Sequence, residues 1–98
     1  MHYVACFFAG AVCANVVPHF VHGISGDRFP TPFAKPPGKG LSSAPVNTVW
    51  ALFNLAVGLV LWHVSKPCSS HALLATFAVG FVVLAVQMSV HFQAKEKE

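Results

Sequence analysis

Carboxylates are the scarcest chemistry in this chain: Asp27, Glu96 and Glu98 are the full complement among 98 residues. All charged residues together make up 9% of the sequence, against roughly 25% in an ordinary soluble domain. A water-soluble fold needs a polar exterior, and nothing here supplies one. The shortage also removes the paired carboxylates on which much general acid–base catalysis rests. The few charges are segregated, so that residues 1–26, 40–65 and 67–94 contain no Asp, Glu, Lys or Arg. Each stretch exceeds the roughly 20 residues that a helix needs to cross a hydrocarbon core.

Other signatures are missing too. There is no CxxC or HExxH pattern, and Gly38-Lys39-Gly40 lacks the Ser or Thr and the glycine spacing of a phosphate-binding loop. No Ser–His–Asp arrangement is arguable, because the single aspartate sits beside Arg28 in a loop. Three cysteines do not force a disulfide. A basic patch interleaved with exposed aromatics, as nucleic-acid binders need, is lacking, so the excess positive charge points to anionic lipid. The first apolar run is too long for a secretory h-region and has no basic residues before it, which makes it a retained helix.

What is present reads as an all-α membrane protein of one domain with three transmembrane helices. The first span runs from about residue 3 to 22, with Pro18 expected to kink or end its last turn. The second runs from about 46 to 65, opened by Pro45 and capped by Ser42 or Ser43. A third follows from about 70 to 92, capped by Ser69 or Ser70, with a tail at 93–98. The four-residue link Lys66–Ser69 predicts a tight antiparallel hairpin of the last two spans. The first link, 23–45, holds five of the seven prolines and four glycines alongside Ile24, Phe29, Phe33 and Leu41. It is too broken for a helix and too apolar for a free tether, so it is expected to fold back over the helix ends as an ordered interfacial loop.

At 100° per residue the small and polar residues fall into stripes. Gly10 lies with Cys6, Ala9 and Cys13 on the first span. Ala51 and Gly58 lie with Asn47 and Asn54 on the second. Ala72, Thr76 and Gly80 lie with Gln87 and His91 on the third. Small residues let backbones approach, and Asn or Gln can bond across helices in lipid, so these stripes are candidate packing seams. Such a small bundle also predicts a homo-oligomer or a larger membrane partner.

The same residues allow a second reading. Asn15, His19 and His22 share a face of the first span, and Asn47, Asn54, Gln87 and His91 reach the same half of the bilayer. If they converge, they form one hydrogen-bonded pocket beneath the proline-rich loop, able to take a small ligand, a lipid headgroup or an ion. Histidines snorkelling to headgroups would look the same in sequence. At the opposite end His2, Cys6, His63, Cys68 and His71 gather. Imidazole and thiolate suit zinc or copper and paired histidines suit haem, an alternative to a chain with no cofactor.

The segments Pro18-His19-Phe20 through Gly23, Phe29-Pro30-Thr31-Pro32-Phe33-Ala34, and Pro36 through Ser43, followed by Asn47, Trp50 and Asn54, resemble a family of small bacterial integral-membrane proteins of uncharacterised function. The resemblance covers about the middle third of the chain. It implies a bacterial inner membrane and supplies no activity or catalytic residue. The expected function is therefore non-enzymatic: an oligomeric or accessory subunit with a ligand pocket, or else a transport unit built from that pocket, or a His/Cys-ligated metal or haem protein.

Arg28, Lys35, Lys39, Lys95 and Lys97 fall on one side of a three-span topology and Lys66 alone on the other. The positive-inside rule then places the loop and the C-terminus in the cytoplasm and the N-terminus outside. A reporter fused after Glu98 should show cytoplasmic activity, and moving Lys35 and Lys39 into the second link should weaken or invert that orientation. Periplasmic activity of the unaltered fusion would overturn the assignment.

Overall fold

A computed structural model describes residues 2–96. Lys97, counted above among the cations of the tail, lies outside them, as do Met1 and Glu98. The described residues form three helices, α1 (His2–Ile24), α2 (Ala44–Ser65) and α3 (His71–His91), with single 3₁₀ turns at Pro67–Ser69 and Phe92–Ala94. All three are long and apolar enough to cross a membrane. The long axis of the molecule, 44 Å, matches the ~40–45 Å of a bilayer with its interfacial layers.

Local chemistry sets the helix ends. The Ser43 hydroxyl accepts from Val46 N at 3.4 Å and caps α2 one residue before its start. Ser70 accepts from Leu73 N at 3.0 Å and caps α3. Each supplies one of the bonds that the first turn of a helix cannot make for itself. Pro18 does not end α1, which continues through it to Ile24. A proline lacks only its own N–H bond, and the surrounding turns here carry the helix past it.

The order of packing differs from the expected hairpin. α1 lies in the middle and packs on both α2 and α3, whereas α2 and α3 hardly approach one another. At their linked ends Trp62 and Phe77 meet edge to face, with ring centroids 5.0 Å apart; beyond that contact the two helices part. Glycine explains the choice of neighbours. A Cβ on Gly10 would overlap the carbonyl oxygen of Phe77, and one on Gly80 would overlap that of Phe7. The two helices thus meet through a reciprocal pair of Phe-x-x-Gly turns, each glycine against the backbone of the other helix. Such close approach gains dispersion contacts and Cα–H···O bonds, the main sources of helix association where lipid replaces water.

The second seam joins α1 to α2. Cys6 and Ala9 on α1 and Asn47, Ala51, Asn54 and Gly58 on α2 are buried, and a Cβ on Gly58 would press on Cys13 Sγ at 3.2 Å. The stripe expected on α3 is corrected in part. Gly80 is buried, but Ala72 is exposed and Thr76 only half-buried, its hydroxyl bonded back to Ala72 O at 2.8 Å. Leu73 and Gly80 are the buried residues of this helix, so the packed face is rotated from the four-residue ladder that the sequence suggests.

Gly80→Leu should therefore lower the unfolding temperature in detergent sharply, because it drives two backbones apart, while Val82→Leu on the exposed face should change it little. Equal effects would show that this face of α3 is not packed.

Candidate functional site

The loop at 25–43 is ordered by its own backbone. Phe29 and Ser42 form an antiparallel bridge, with Phe29 N to Ser42 O at 3.2 Å and Ser42 N to Phe29 O at 3.0 Å. Thr31 and Ser42 hydroxyls bond at 2.6 Å, and Gly38 N donates to Thr31 O at 3.0 Å. Phe29, Pro30, Thr31 and Ala34 are buried beneath this small fold.

One side chain fixes the loop to the helices. Asn47, with no exposed surface, donates through Nδ2 to Phe29 O at 2.8 Å, Ser42 O at 3.2 Å and Ser43 O at 3.1 Å. An amide end surrounded by three carbonyls must be its NH₂ group, with two hydrogens shared among them. The other end is then the carbonyl, and it faces His19 Nδ1 at 2.8 Å. A carbonyl can only accept, so Nδ1 carries the hydrogen and the neutral ring keeps its lone pair on Nε2.

One level deeper, Asn15 Nδ2 donates to Asn54 Oδ1 at 3.1 Å, and Asn54 Nδ2 donates to Trp50 O at 2.8 Å. Both ends of Asn54 are satisfied. Asn15 keeps its own carbonyl oxygen. At the far side of the loop His91 Nε2 donates to Gly38 O at 3.0 Å, which leaves a lone pair on Nδ1.

These elements line an open cavity of about 350 Å³. Asn15 and His19 of α1 form its back, Trp50 of α2 one side, and Leu84, Gln87, Met88 and His91 of α3 the other. Pro30, Thr31, Pro32, Pro37 and Gly38 roof it, and Phe92 completes the rim. Around the rim His19 meets Phe29, Trp50 and Phe92 edge-on, at centroid distances of 5.5, 6.4 and 6.4 Å. No Asp, Glu, Lys, Arg or Cys lines the cavity among the described residues.

The pocket expected beneath the loop is thus there, with a different membership. Asn15, His19, Gln87 and His91 line it. Asn47 and Asn54 stand behind the wall and hold it in place. His22 is not part of it: its ring stacks on Phe29 at 4.4 Å, and Nδ1 stands 3.6 Å from Asp27 Oδ2, too far for a hydrogen bond. Nor do Asn15, His19, Asn54 and His91 form one unit; the bonds fall into separate pairs, His19–Asn47 and Asn15–Asn54. Sequence reasoning missed Thr31, Trp50, Leu84 and Met88. Trp50 had a signal, since it lies three residues after Asn47 and four before Asn54 on one helical face. The set at the other end is corrected. Cys6 is buried with Sγ 3.5 Å from Ser65 O, while His2, His63, Cys68 and His71 are exposed. Among the described residues no three His, Cys, Asp or Glu side chains come close enough to hold a metal ion.

Compared with known proteins, the chain matches no family model, no curated protein and no solved structure.

Asn47→Ala takes one of two donors from each of the carbonyls of Phe29, Ser42 and Ser43, and leaves His19 Nδ1–H without its acceptor. It should destabilise the protein by about 2–3 kcal/mol, more than the ~1 kcal/mol expected for Asn54→Ala. In a double-mutant cycle Asn15→Ala and Asn54→Ala should couple by about 0.5–1 kcal/mol, whereas Asn15→Ala and Asn47→Ala should add. Unfolding in detergent measures both. Equal costs for Asn47→Ala and Asn54→Ala would show that the loop is not held by this amide.

Proposed function

We propose that this protein is a non-enzymatic, multi-pass membrane protein that binds a small uncharged polar group in the cavity beneath its proline-rich loop. The observation that carries the reading is the cavity itself: about 350 Å³, polar at its back, and set among helices long and apolar enough to cross a membrane. Unoccupied polar surface at that depth is costly, and a ligand or water must satisfy it. The absence of any charged residue from the lining supports a neutral ligand over an ion, and argues against a cation-coupled transporter. It also leaves no nucleophile with an adjacent base, which supports binding without chemistry.

The loop and the end of α3 lie at one end of the molecule, joined by His91 to Gly38 and by Glu96 N to Lys39 O at 2.8 Å. Arg28, Lys35, Lys39 and Lys95 gather at that end, which supports a cytoplasmic position for the site in a bacterial inner membrane.

Native mass spectrometry of protein extracted gently from its own membrane provides the test. A bound small molecule should accompany the wild type and the Val60→Trp control, which alters an exposed site distant from the cavity. It should be lost from Gln87→Trp, whose indole fills the cavity from an exposed position. Identical spectra for all three proteins would overturn the proposal.

A further inference from the structure

The walls of the cavity also say what kind of group it takes and from where. Three acceptor atoms of the walls are left unused by the protein's own bonds, Nε2 of His19, Oδ1 of Asn15 and Nδ1 of His91, and the Gln87 amide adds its Oε1. The donors among the lining side chains are the two N–H of the Gln87 amide and the Trp50 indole N–H. An anionic headgroup would meet no cation there, and an ammonium would meet no carboxylate. Neighbouring hydroxyls suit this lining best, since each donates to a lone pair and accepts from a remaining N–H, and an aromatic wall suits the C–H face of a polyol.

The route of entry follows from how the roof is sealed. On the α2 side Phe33 of the loop meets Trp50 edge to face at 5.1 Å. On the α3 side His91 holds Gly38, and Glu96 N holds Lys39 O. α1 closes the back. The cavity is open to its surroundings, and it is lined by Trp50 of α2 and Leu84 of α3, two helices that hardly approach one another, so the geometry points to the α2–α3 cleft as its opening. Trp50 and Leu84 both belong to helices long and apolar enough to cross a membrane, so a cleft between them would open to lipid.

We infer that the ligand is an amphiphile with an uncharged polyol head, such as a monoacylglycerol or a related glycolipid, which enters sideways from the bilayer through the α2–α3 cleft. The head lies against Asn15, His19 and His91, and the acyl chain leaves past Leu84 into lipid. This rests on the reading of the cavity as a binding site, and adds to it the class of ligand and the direction of approach.

The test uses the intact protein in phosphatidylcholine vesicles with a monoacylglycerol carrying a photoreactive diazirine near the head end of its acyl chain. Labelling should be saturable, should map to Trp50, Leu84 or Met88, and should be displaced by unlabelled monoacylglycerol. The methyl ester of the same fatty acid and free glycerol should both fail to displace it. It should also be lost in Leu84→Trp, which blocks the cleft, and in Gln87→Trp, which fills the cavity from an exposed position and tolerates substitution if Leu84 does not. Displacement by the methyl ester would show that hydroxyls are not recognised, and displacement by free glycerol would show entry from water. Either result overturns the inference. Absence of saturable labelling overturns it too, while a small molecule still bound in the native spectra of the wild type would leave the cavity reading standing.

Discussion

A buried amide in a medium without water must find partners for both of its ends, and in this protein the whole loop is arranged around one such amide. Asn47 sits in the first turn of α2, where its Nδ2 reaches Phe29 O, Ser42 O and Ser43 O together. Two of those carbonyls belong to the residues that form the bridge in the loop. Each of them therefore serves two donors, one from the opposite strand of the loop and one from α2. The bridge is a single residue pair long and could not persist alone. Gripped from below, it holds Pro30, Thr31 and Pro32 as the roof of the cavity. The prolines assist by restricting the chain that must be ordered, so less entropy is lost when the loop closes.

The cleft depends on a different constraint. Where there is no hydrophobic drive between helices, the seam goes to the pair that can come closest. α1 packs through small residues on two faces: Gly10 turned to α3, and Cys6, Ala9 and Cys13 toward α2. It accordingly takes the central place. α2 spends its small stripe on α1, and α3 spends Gly80 on the same helix. With both seams made on α1, helices joined by so short a link diverge beyond Trp62 and Phe77.

The same physics separates what could be read in the sequence from what could not. Asn47, Ala51, Asn54 and Gly58 were legible as one face because two asparagines in an apolar helix break its symmetry and fix the phase. The caps were legible because Ser43 and Ser70 immediately precede apolar runs. α3 is different. It is apolar nearly all round, so periodicity alone could not choose between the ladder Ala72–Thr76–Gly80 and the face that holds Leu73, Gly80 and Leu84. His91 and Gln87 were expected to mark the packed side; they mark instead the edge of the cavity, reached from an exposed position. His22 lies one turn beyond His19, and Phe29 of the loop, which meets both rings, covers it. Inside the loop no period exists at all, and the pairing of Phe29 with Ser42 depends on Asn47, a residue that lies outside it.

Packing and ligand binding were rival readings of the polar residues on the sequence, and the structure shows why one residue can carry both. Asn15 and His19 of α1 each use one end of the side chain on α2 and keep the other. Asn15 turns its NH₂ to Asn54 and keeps its oxygen; His19 turns Nδ1 to Asn47 and keeps Nε2. The end used on α2 joins the helices and, in doing so, decides which end is left. Because Asn47 offers His19 a carbonyl, the nitrogen facing elsewhere is an acceptor; because Asn54 offers Asn15 a carbonyl, the free end of that amide is an acceptor as well. The hydrogen-bonding character of the cavity is therefore set by two asparagines that do not line it. Exchanging Asn47 for an aspartate would preserve the acceptor toward His19 but turn repelling oxygens on three carbonyls, whereas a change at Gln87 alters the lining without touching the seam. Residues behind the wall are bound to the fold, and residues on the α3 side can change without disturbing it.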